Sequence, residues 1–265
     1  MGDTQRSQTI STDSRKIASQ TAMKFKGNTK ERSAEAPPIL VPESSLVHIR
    51  SMAKANRQMT FTSLAHKVDL FLLNKSFRQL RKNSATGVDK VTAEEYSAHL
   101  DENLYNLYLR LKRGQYAAQP VKRIWIDKED GTQRPIGITA LEDKIVQKAV
   151  TTILSEVYEP IFHDFSHGFR SKHSQHLAIA EIRERCYALN TNWILSADIT
   201  GLFDNIDHKL LRDLIRTRVN DGGILRLIGK WLKAGVLESD IIEYPDKGTP
   251  QGGLCKALHK PPYAK

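Results

Sequence analysis

Apolar side chains recur three or four positions apart in five stretches of the chain, separated by polar or glycine-containing segments. This spacing places the apolar residues on one face of a helix, so it predicts five amphipathic helices, and a sixth helix is predicted after the capping residue Ser174. The strongest of them, residues 141–158, carries a wide apolar face and is followed by Pro160, which cannot continue a helix. The six predicted helices cover residues 61–80, 92–111, 141–158, 175–189, 208–219 and 224–234.

Residues suited to capping precede several of these helices. Thr62 or Ser63 would cap the first, because either side chain can accept hydrogen bonds from the free amides of a helix start. Thr92 opens the second, and Glu95 three residues later has capping-box spacing. Ser174 is placed to cap the helix predicted at 175–189. These local signals set the expected helix starts.

Four further segments have the shorter period or the continuous apolar character of strands. Residues 123–127 and 133–138 alternate and are joined by a turn containing Asp-Gly, which predicts a β-hairpin. The apolar run 193–195 is typical of a short buried strand. Residues 236–244 predict a second antiparallel excursion. Helices and hairpins that are not in strict alternation indicate an α+β fold.

The composition narrows the class of partner. Forty Lys and Arg residues against thirty Asp and Glu give the 265-residue chain a formal charge of +10. That charge favours a polyanionic partner but does not separate RNA, DNA and anionic membrane, and a basic surface also serves solubility. No apolar run approaches the roughly 18 residues of a membrane helix. The two cysteines form no metal or disulfide pattern, so we expect a reducing, cytoplasmic environment.

Residues 1–42 differ in composition from the rest of the chain. They are rich in Ser, Thr, Lys, Gln and Pro and show little apolar periodicity, so they predict a disordered basic leader. Its cations could contact a nucleic-acid backbone, or the segment could be a solvated tail. Both interpretations keep it apart from the folded core.

Charged residues at two predicted strand ends are candidates for chemistry. Asp198 lies where the 193–195 strand would emerge, a position from which a carboxylate can hold a divalent cation beside a nucleotide. A lone aspartate is also commonly a surface or capping residue. Lys128 and Arg134 lie near the hairpin tip, where an ammonium and a guanidinium could bind one triphosphate. A solvated, cation-rich hairpin is the alternative.

A histidine-rich segment, residues 163–176, allows two interpretations. The His-x-x-His spacing of His173 and His176 is compatible with zinc, but the segment contains no cysteine and a single acid, Asp164. A nucleic-acid contact loop fits better, because Phe169 could stack on a base and Arg170 could bind phosphate.

The run from Asp198 to His208, with Phe203 and Asp207 at its matching positions, resembles the first catalytic aspartate motif of reverse transcriptases. The form is that of bacterial group II intron-encoded reverse transcriptase/maturases. Four further segments are similar to the same family. They are residues 86–89, 134–147, 168–174 and the Gly-Thr-Pro-Gln-Gly-Gly run 248–253.

The resemblance implies the fingers and partial palm of a right-hand polymerase, helix-rich with antiparallel hairpins. It also implies RNA-directed DNA synthesis from dNTPs on an RNA template and a DNA primer, by a two-metal mechanism. Asp198 and the backbone carbonyl of Ile199 match the Mg²⁺ ligands, whereas Asp204 and Asp207 are expected to be a turn residue and a helix cap. The residues matched to dNTP contacts are Lys128, Arg134, Gln251 and Phe203, the last as a steric gate. Those matched to nucleic-acid contacts are Gly168, Phe169, Arg170, Gly252 and Gly253.

The expected organisation has four parts, and the resemblance ends before the family's Tyr-x-Asp-Asp hairpin. The sequence contains no Asp-Asp pair. We therefore expect a C-terminally truncated chain with little activity alone, which a complementary fragment could complete. The alternatives are a non-catalytic intron-RNA-binding or splicing module and a non-functional remnant. The four parts are the leader 1–42, a fingers-like region 43–190 with hairpin 123–138, a partial palm 191–253 and a divergent tail 254–265.

Overall fold

Eight α-helices and a four-stranded sheet are present in this computed structural model, which describes residues 44–127, 129 and 131–249. These residues belong to one compact unit, Pro38–Lys265. The leader predicted at 1–42 and the tail predicted at 254–265 lie outside the described residues. The helices are α1 Ser44–Ala55, α2 Leu70–Gln79, α3 Ala93–Ala98, α4 Leu100–Lys112, α5 Leu141–Tyr158, α6 Gln175–Ala188, α7 His208–Arg216 and α8 Gly222–Leu232. The strands are β1 Val121–Asp127, β2 Gln133–Ile138, β3 Val236–Glu238 and β4 Ile241–Glu243.

Helix α5 lies at the centre of the core because its apolar face is buried along its whole length. Helices α1 and α2 pack against it, and α4 packs on α2. Each fully buried Leu, Ile or Val contributes about 1.5–3 kcal/mol, so α5 carries much of the stability and confirms the prediction for 141–158. Its side chains with no exposed surface are Ile145, Val146, Ala149, Val150, Ile153, Leu154 and Val157.

None of the helices in the described ranges combines the length and the apolar character needed to cross a membrane. Even α5, the longest at 18 residues, carries charged side chains from its first turn onward.

The capping side chains predicted from sequence form the expected hydrogen bonds at three helices. Thr92 and Glu95 form a complete capping box at α3. Ser174 accepts a hydrogen bond from the amide of Leu177 at α6, and Asp207 accepts from the amides of the first turn of α7. Because each cap needs only residues within one turn, these starts were predictable from local chemistry.

The start predicted for the first helix is wrong. Residues Ala65–Lys67 form a 3₁₀ turn, and α2 begins only after Asp69, whose side chain accepts from the amide of Leu72 at 2.7 Å. Upstream, Phe61 is extended and pairs with the segment at Val219. Tertiary pairing of this backbone therefore replaces the helical turn that Thr62 or Ser63 would have capped.

The second predicted helix is divided in two. His99, at φ −126° and ψ 43°, leaves helical geometry and separates α3 from α4. The apolar face continues across the break, with Tyr96, Leu104 and Leu107 all buried. The periodicity was therefore a reliable guide to burial but not to the continuity of the helix.

The sheet has the strand order β2-β1-β3-β4 and confirms both predicted hairpins. Strands β1 and β2 pair antiparallel, as do β3 and β4. The two hairpins meet through a parallel pairing of Val121 with Val236 and Lys122 with Leu237. This long-range contact, which the sequence did not predict, brings the segment after β4 beside the β1–β2 hairpin.

The strand predicted at 193–195 is absent, and that prediction is corrected. Trp193, Ile194 and Leu195 are 91%, 71% and 91% exposed, and none of them is in a strand. A strand needs a neighbour for its backbone N–H and C=O groups. Within the described ranges, no strand pairs with this segment, so its apolar side chains are not buried.

Candidate nucleotide and nucleic-acid site

Backbone hydrogen bonds join the segment after Asp198 to the start of the Gly-Thr-Pro-Gln-Gly-Gly run. The amide of Thr249 donates to the carbonyl oxygen of Phe203 at 2.8 Å. The amide of Gly248 donates to the carbonyl of Ile206, also at 2.8 Å. The two motifs are more than forty positions apart in sequence, and the fold places them side by side.

Gly248 is required at this junction for two reasons. Its φ of +84° is a conformation that residues with a side chain rarely adopt. A Cβ atom there would lie 2.7 Å from the carbonyl oxygen of Asp204. The ring of His208 holds the same residue from the other side, with Nε2 2.7 Å from the Gly248 carbonyl oxygen. The backbone at Gly248 can therefore approach the Asp204 carbonyl closely only because glycine has no side chain.

The joined motifs and the β1–β2 hairpin border a cleft of about 260 Å³. Two side chains of β1 fix the hairpin to β3. Trp125 Nε1 donates to Glu238 Oε1 at 2.6 Å, and Arg123 Nη1 donates to Oε2 at 2.8 Å. These bonds, first from Trp125 and then from Arg123, lower the pKa of Glu238. Other lining residues are Pro135, Gly137, Asp204, Trp231, Lys247 and Thr249.

Behind this cleft lies a buried polar network that the sequence analysis missed. Trp231, which lines the cleft, donates from Nε1 to the Tyr116 hydroxyl at 2.8 Å. That hydroxyl donates to Asp143 Oδ1, and the amide of Gln119 donates to Oδ2 at 2.9 Å. Burial raises the pKa of Asp143 to about 6, against the hydrogen bonds from Tyr116 and Gln119. The sequence held one indication of this network, because Asp143 is a charged residue on the apolar face of the helix predicted at 141–158.

Asp198 and Ile199 lie on the exposed segment rather than in the cleft. Both are exposed, Ile199 at 67%. Among the residues that the structure describes, no group of three or more His, Cys, Asp or Glu side chains could hold a metal ion. The oxygen donors of Asp198 and Ile199 suit a hard cation chemically, but the structure does not gather further protein ligands around them.

Of the residues expected to contact the dNTP, the structure describes two. Arg134 is exposed on β2, opposite Ile126 of β1. Phe203 is half-buried and its backbone is held by Thr249. The other predicted residues, Lys128, Gln251, Gly252 and Gly253, lie outside the described residues.

Arg170 is turned into its own loop, residues 162–173. Its Nε and Nη2 atoms donate to Glu159 Oε1 at 3.0 and 2.8 Å. Its Nη1 atom donates to the carbonyl oxygens of His163 and Ser166 at 2.9 and 2.7 Å. The side chain is only 9% exposed. The phosphate contact predicted for Arg170 is therefore not supported, because its donors bind within the loop.

The neighbouring Phe169 has the opposite orientation. It is 61% exposed and takes φ +59°, a left-handed conformation that is uncommon for a residue with a side chain. Gly168 precedes it and is half-buried. An exposed aromatic ring held by a strained backbone next to a fixed arginine is suited to stacking on a base.

The histidines of this loop bind one another and an acid. His167 Nε2 lies 2.7 Å from Glu181 Oε2 on α6, and His167 Nδ1 lies 3.1 Å from His173 Nδ1. These contacts tie the loop to α6. They give the two rings a structural role, which is an alternative to the zinc interpretation.

Comparisons with known proteins agree on one family. A profile of the reverse transcriptase (RNA-dependent DNA polymerase) family matches residues 126–255. The group II intron-encoded protein LtrA of Lactococcus lactis subsp. cremoris is 35% identical over 217 residues, covering 80% of this chain and 36% of LtrA. Protein YkfC of Escherichia coli (strain K12) is 34% identical over 175 residues, covering 65% of this chain and 46% of YkfC. An uncharacterized 91 kDa protein in the cob intron of Schizosaccharomyces pombe is 31% identical over 190 residues, covering 72% of this chain and 23% of that protein.

The chain therefore spans less than half the length of these relatives. The residues that match the family profile include the β1–β2 turn, strand β2, the Asp198 segment and Gly248. Residues 126–255 are therefore a reverse transcriptase domain, and the chain is similar to group II intron-encoded proteins over most of its length.

Proposed function

We propose that the chain is the reverse transcriptase part of a group II intron maturase and that it takes part in RNA-directed DNA synthesis. The observation that carries this proposal is the backbone pairing of residues 203–208 with 247–249 beside the β1–β2 hairpin. In the proposed organisation, residues 43–190 correspond to the fingers and 191–253 to part of the palm of a right-hand polymerase. The substrates are dNTPs, a DNA primer and an RNA template.

Asp198 and the carbonyl oxygen of Ile199 are the proposed protein ligands of Mg²⁺. Protein sites for Mg²⁺ often supply one or two carboxylates and leave the remaining positions to water and substrate phosphates, so a small donor set fits this ion. When bound, a pair of such ions activates the primer 3′-hydroxyl and stabilises the leaving pyrophosphate. Asp198 contributes by placing its negative charge at the position where those cations would be held.

The nucleotide is proposed to lie between the hairpin and the joined motifs. Lys128 and Arg134 bind its triphosphate through charge-assisted hydrogen bonds. Gln251 is proposed to contact it as well, and Phe203 to exclude a ribose 2′-hydroxyl. The hydrogen bond from the Thr249 amide to the Phe203 carbonyl supports this arrangement, because it holds the start of the Gly-Thr-Pro-Gln-Gly-Gly run beside the proposed gate.

The Asp198 segment needs a neighbouring strand to become part of a palm sheet. Trp193, Ile194 and Leu195 are exposed, which supports the proposal that a complementary fragment covers them. Apolar side chains are exposed on α6 as well, where Ile179 and Tyr187 are 65% and 77% exposed. We place the assembled protein in the cytoplasm, with intron RNA as its partner.

Primer extension tests the catalytic part of this proposal. The purified chain would be assayed with Mg²⁺, dNTPs and a DNA primer on an RNA template, alone and with a palm fragment of a related protein. We expect extension only in the mixture, and its loss in the Asp198→Asn variant. Robust extension by the chain alone would contradict the need for a partner. If neither sample extends the primer nor binds dNTP in a Mg²⁺-dependent manner, the polymerase proposal is wrong.

The role of the motif junction can be tested by measuring Mg²⁺-dependent dNTP binding in two glycine variants. Gly248→Ala places a methyl group against the Asp204 carbonyl, whereas Gly114→Ala has a similar positive φ with nothing within 4 Å. Backbone strain is common to both, so any further loss in Gly248→Ala reports the close approach. We expect Gly248→Ala to weaken dNTP binding at least tenfold and Gly114→Ala to leave it unchanged. Equal dNTP binding by the two variants would show that the junction at Gly248 is not part of the nucleotide site.

A second candidate function is a non-catalytic intron-RNA-binding module. The exposure of Asp198 and Ile199 outside the cleft favours it. This function predicts salt-sensitive RNA binding that Asp198→Asn leaves unchanged, with no Mg²⁺-dependent dNTP binding. The two functions are therefore separated by the dNTP measurement rather than by RNA binding.

A further inference from the structure

Three side chains fasten the β1–β2 hairpin to the β3–β4 hairpin beside the candidate cleft. Glu238, the last residue of β3, accepts hydrogen bonds from Trp125 Nε1 at 2.6 Å and from Arg123 Nη1 at 2.8 Å. Arg123 and Trp125 are two positions apart in β1, so their side chains project from the same face of the strand. Both donors line the cleft, whereas Glu238 is not among the described residues that line it. We call these three side chains the hairpin bridge.

We propose that Glu238 is a positioning residue for the nucleotide site, because the hairpin bridge sets the separation of the two walls of the cleft. One wall is the β1–β2 hairpin, which carries Arg134, and the other is the run that begins at Gly248. This inference rests on the proposed function, since it assigns a role in dNTP binding to a residue that does not itself contact the nucleotide.

The bridge acts where the backbone pairing of the two hairpins has ended. Strands β1 and β3 pair in parallel over residues 121–122 and 236–237. From there β1 continues to Asp127, and over this outer part the hydrogen bonds from Arg123 and Trp125 connect it to β3. A two-stranded hairpin has little stability of its own, so these bonds determine how the outer hairpin is held.

The elements joined by the bridge lead directly to proposed nucleotide contacts. In β1, Trp125 is followed by Ile126, whose partner across the hairpin is Arg134. On the opposite wall, β4 leads to Gly248 through the short segment 244–247. A change in the bridge therefore moves both walls relative to each other.

The turn between β3 and β4 fixes the place of the Glu238 carboxylate. Two residues join the strands, Ser239 and Asp240, and their φ values of 47° and 66° have the positive sign that a type I′ turn requires. This tight connection passes a displacement of Glu238 on to β4. Arg123 also lies 3.9 Å from Glu243 of β4, so the bridge contacts both strands of the second hairpin.

The bridge should affect the position of the hairpin more than the stability of the fold. The side chains of Arg123 and Glu238 are 29% and 33% exposed. Water screens an ion pair with this exposure, so the pair contributes little to the free energy of unfolding. Substituting Glu238 should therefore leave the protein folded while it releases the outer hairpin.

Mg²⁺-dependent dNTP binding by the purified chain tests this role with a matched pair of variants. Glu238→Gln and Glu243→Gln each remove one negative charge near Arg123, so electrostatics alone predicts tighter dNTP binding in both. The positioning role predicts the opposite for one of them. We expect Glu238→Gln to weaken dNTP binding about tenfold and Glu243→Gln to change it by less than about twofold.

The Trp125 indole provides a readout that needs no nucleotide. The chain contains three tryptophans, and the indole N–H signal of Trp125 in a ¹⁵N–¹H correlation spectrum is identified by its loss in Trp125→Phe. Glu238→Gln should shift this signal upfield, because a neutral amide is a weaker acceptor than a carboxylate. Glu243→Gln should leave it in place.

Trp125→Phe removes the same hydrogen bond from the donor side and retains an aromatic ring in the cleft wall. It should weaken dNTP binding as Glu238→Gln does. The double variant should bind dNTP no more weakly than either single variant, because two residues that act through one contact are not additive. Losses that add in full would assign separate roles to Trp125 and Glu238 and overturn the bridge.

The remaining outcomes separate the hairpin bridge from the nucleotide site. Unchanged dNTP binding in Glu238→Gln and Trp125→Phe would overturn the positioning role and leave the nucleotide site intact. Equal weakening by Glu243→Gln would overturn it by assigning the effect to charge. If the unmodified chain binds no dNTP while the indole signal shifts as expected, the bridge exists, but the proposed function and the positioning role are both wrong.

Discussion

Asp143 is a polar residue on the most buried face of the protein, and its environment explains how it is tolerated. It is 2% exposed, and both of its oxygens accept hydrogen bonds. A buried carboxyl with satisfied hydrogen bonds still favours its neutral form, because burial penalises charge more than two donors compensate. The network continues through Tyr116 to Trp231 at the cleft. The protonation state of Asp143 therefore bears on the wall of the candidate site.

The pH dependence of stability should reveal this residue. The pKa of Asp143 is raised from 3.8 to about 6 in the folded protein. The folded state thus binds the proton more tightly than the unfolded state, so this contribution is fully present below about pH 4 and is lost as pH rises through about 6. The full effect is about 2–3 kcal/mol at 1.36 kcal/mol per pKa unit. Urea unfolding of the wild type and of Asp143→Asn from pH 4 to pH 7 measures it.

The comparison with Asp143→Asn is needed because other carboxyls act in the opposite direction. Backbone hydrogen bonds lower the pKa values of Glu95 and Asp207, and such groups lose stabilisation as pH falls. Subtracting the variant's curve isolates Asp143. A difference curve that is flat between pH 4 and pH 6 would show that this carboxyl is not protonated in the folded protein.

Among the elements, α8 and the segment before α2 are joined by a single side chain. Asp221 caps α8 by accepting from the amides of Gly223 and Ile224 at 2.7 and 3.0 Å. Its other oxygen accepts from the amides of Leu64 and Ala65 at 2.5 and 2.9 Å. Burial alone would raise the pKa of Asp221, but these four donors outweigh it and lower the pKa. One carboxylate therefore accepts the hydrogen bonds of amides from two separate chain segments.

Replacing this carboxylate should be costly. Asp221→Ala leaves four amides without their acceptor, and the expected loss is about 3 kcal/mol, since a cap contributes about 1 kcal/mol and a buried unsatisfied donor costs 1–3 kcal/mol. Asp221→Asn keeps one acceptor and should lose less. Asp213→Ala, an exposed acid on α7, should change the free energy of unfolding by at most about 0.5 kcal/mol. A loss in Asp221→Ala no larger than this control would show that water replaces the carboxylate.

The elements also show what could be read from the sequence. Caps such as Ser174 and Asp207 were predictable because the chemistry lies within one turn. The bonds that Asp221 accepts from Leu64 and Ala65 were not, because they depend on Phe61 pairing with a segment more than 150 residues away. The β1–β3 pairing and the Asp143 network have the same non-local origin. The motifs themselves were recognisable, but their meeting at Gly248 required the fold.

At the scale of the whole molecule, the exposed apolar surface from α6 to Ile199 stands apart from the well-packed core around α5. The described part of α6 has no buried residue, although it contains Leu177, Ile179 and Ile182. An exposed apolar patch usually marks an interface. Association with another strand is the proposal that would account for both the apolar pattern at 193–195 and its exposure.

Concentration-dependent association should follow from this surface. Sedimentation velocity on the purified chain should show self-association that the double variant Trp193→Ser, Leu195→Ser reduces, because both side chains are 91% exposed. The same substitutions should leave the free energy of unfolding within about 0.5 kcal/mol of the wild type, as expected for surface positions. Leu210→Ser, at a residue 69% exposed on α7, is the control and should affect neither. A decrease of several kcal/mol in the free energy of unfolding of the double variant, measured in dilute solution, would contradict this prediction. It would show that residues 193–195 are buried within a single chain, as the strand predicted from sequence requires.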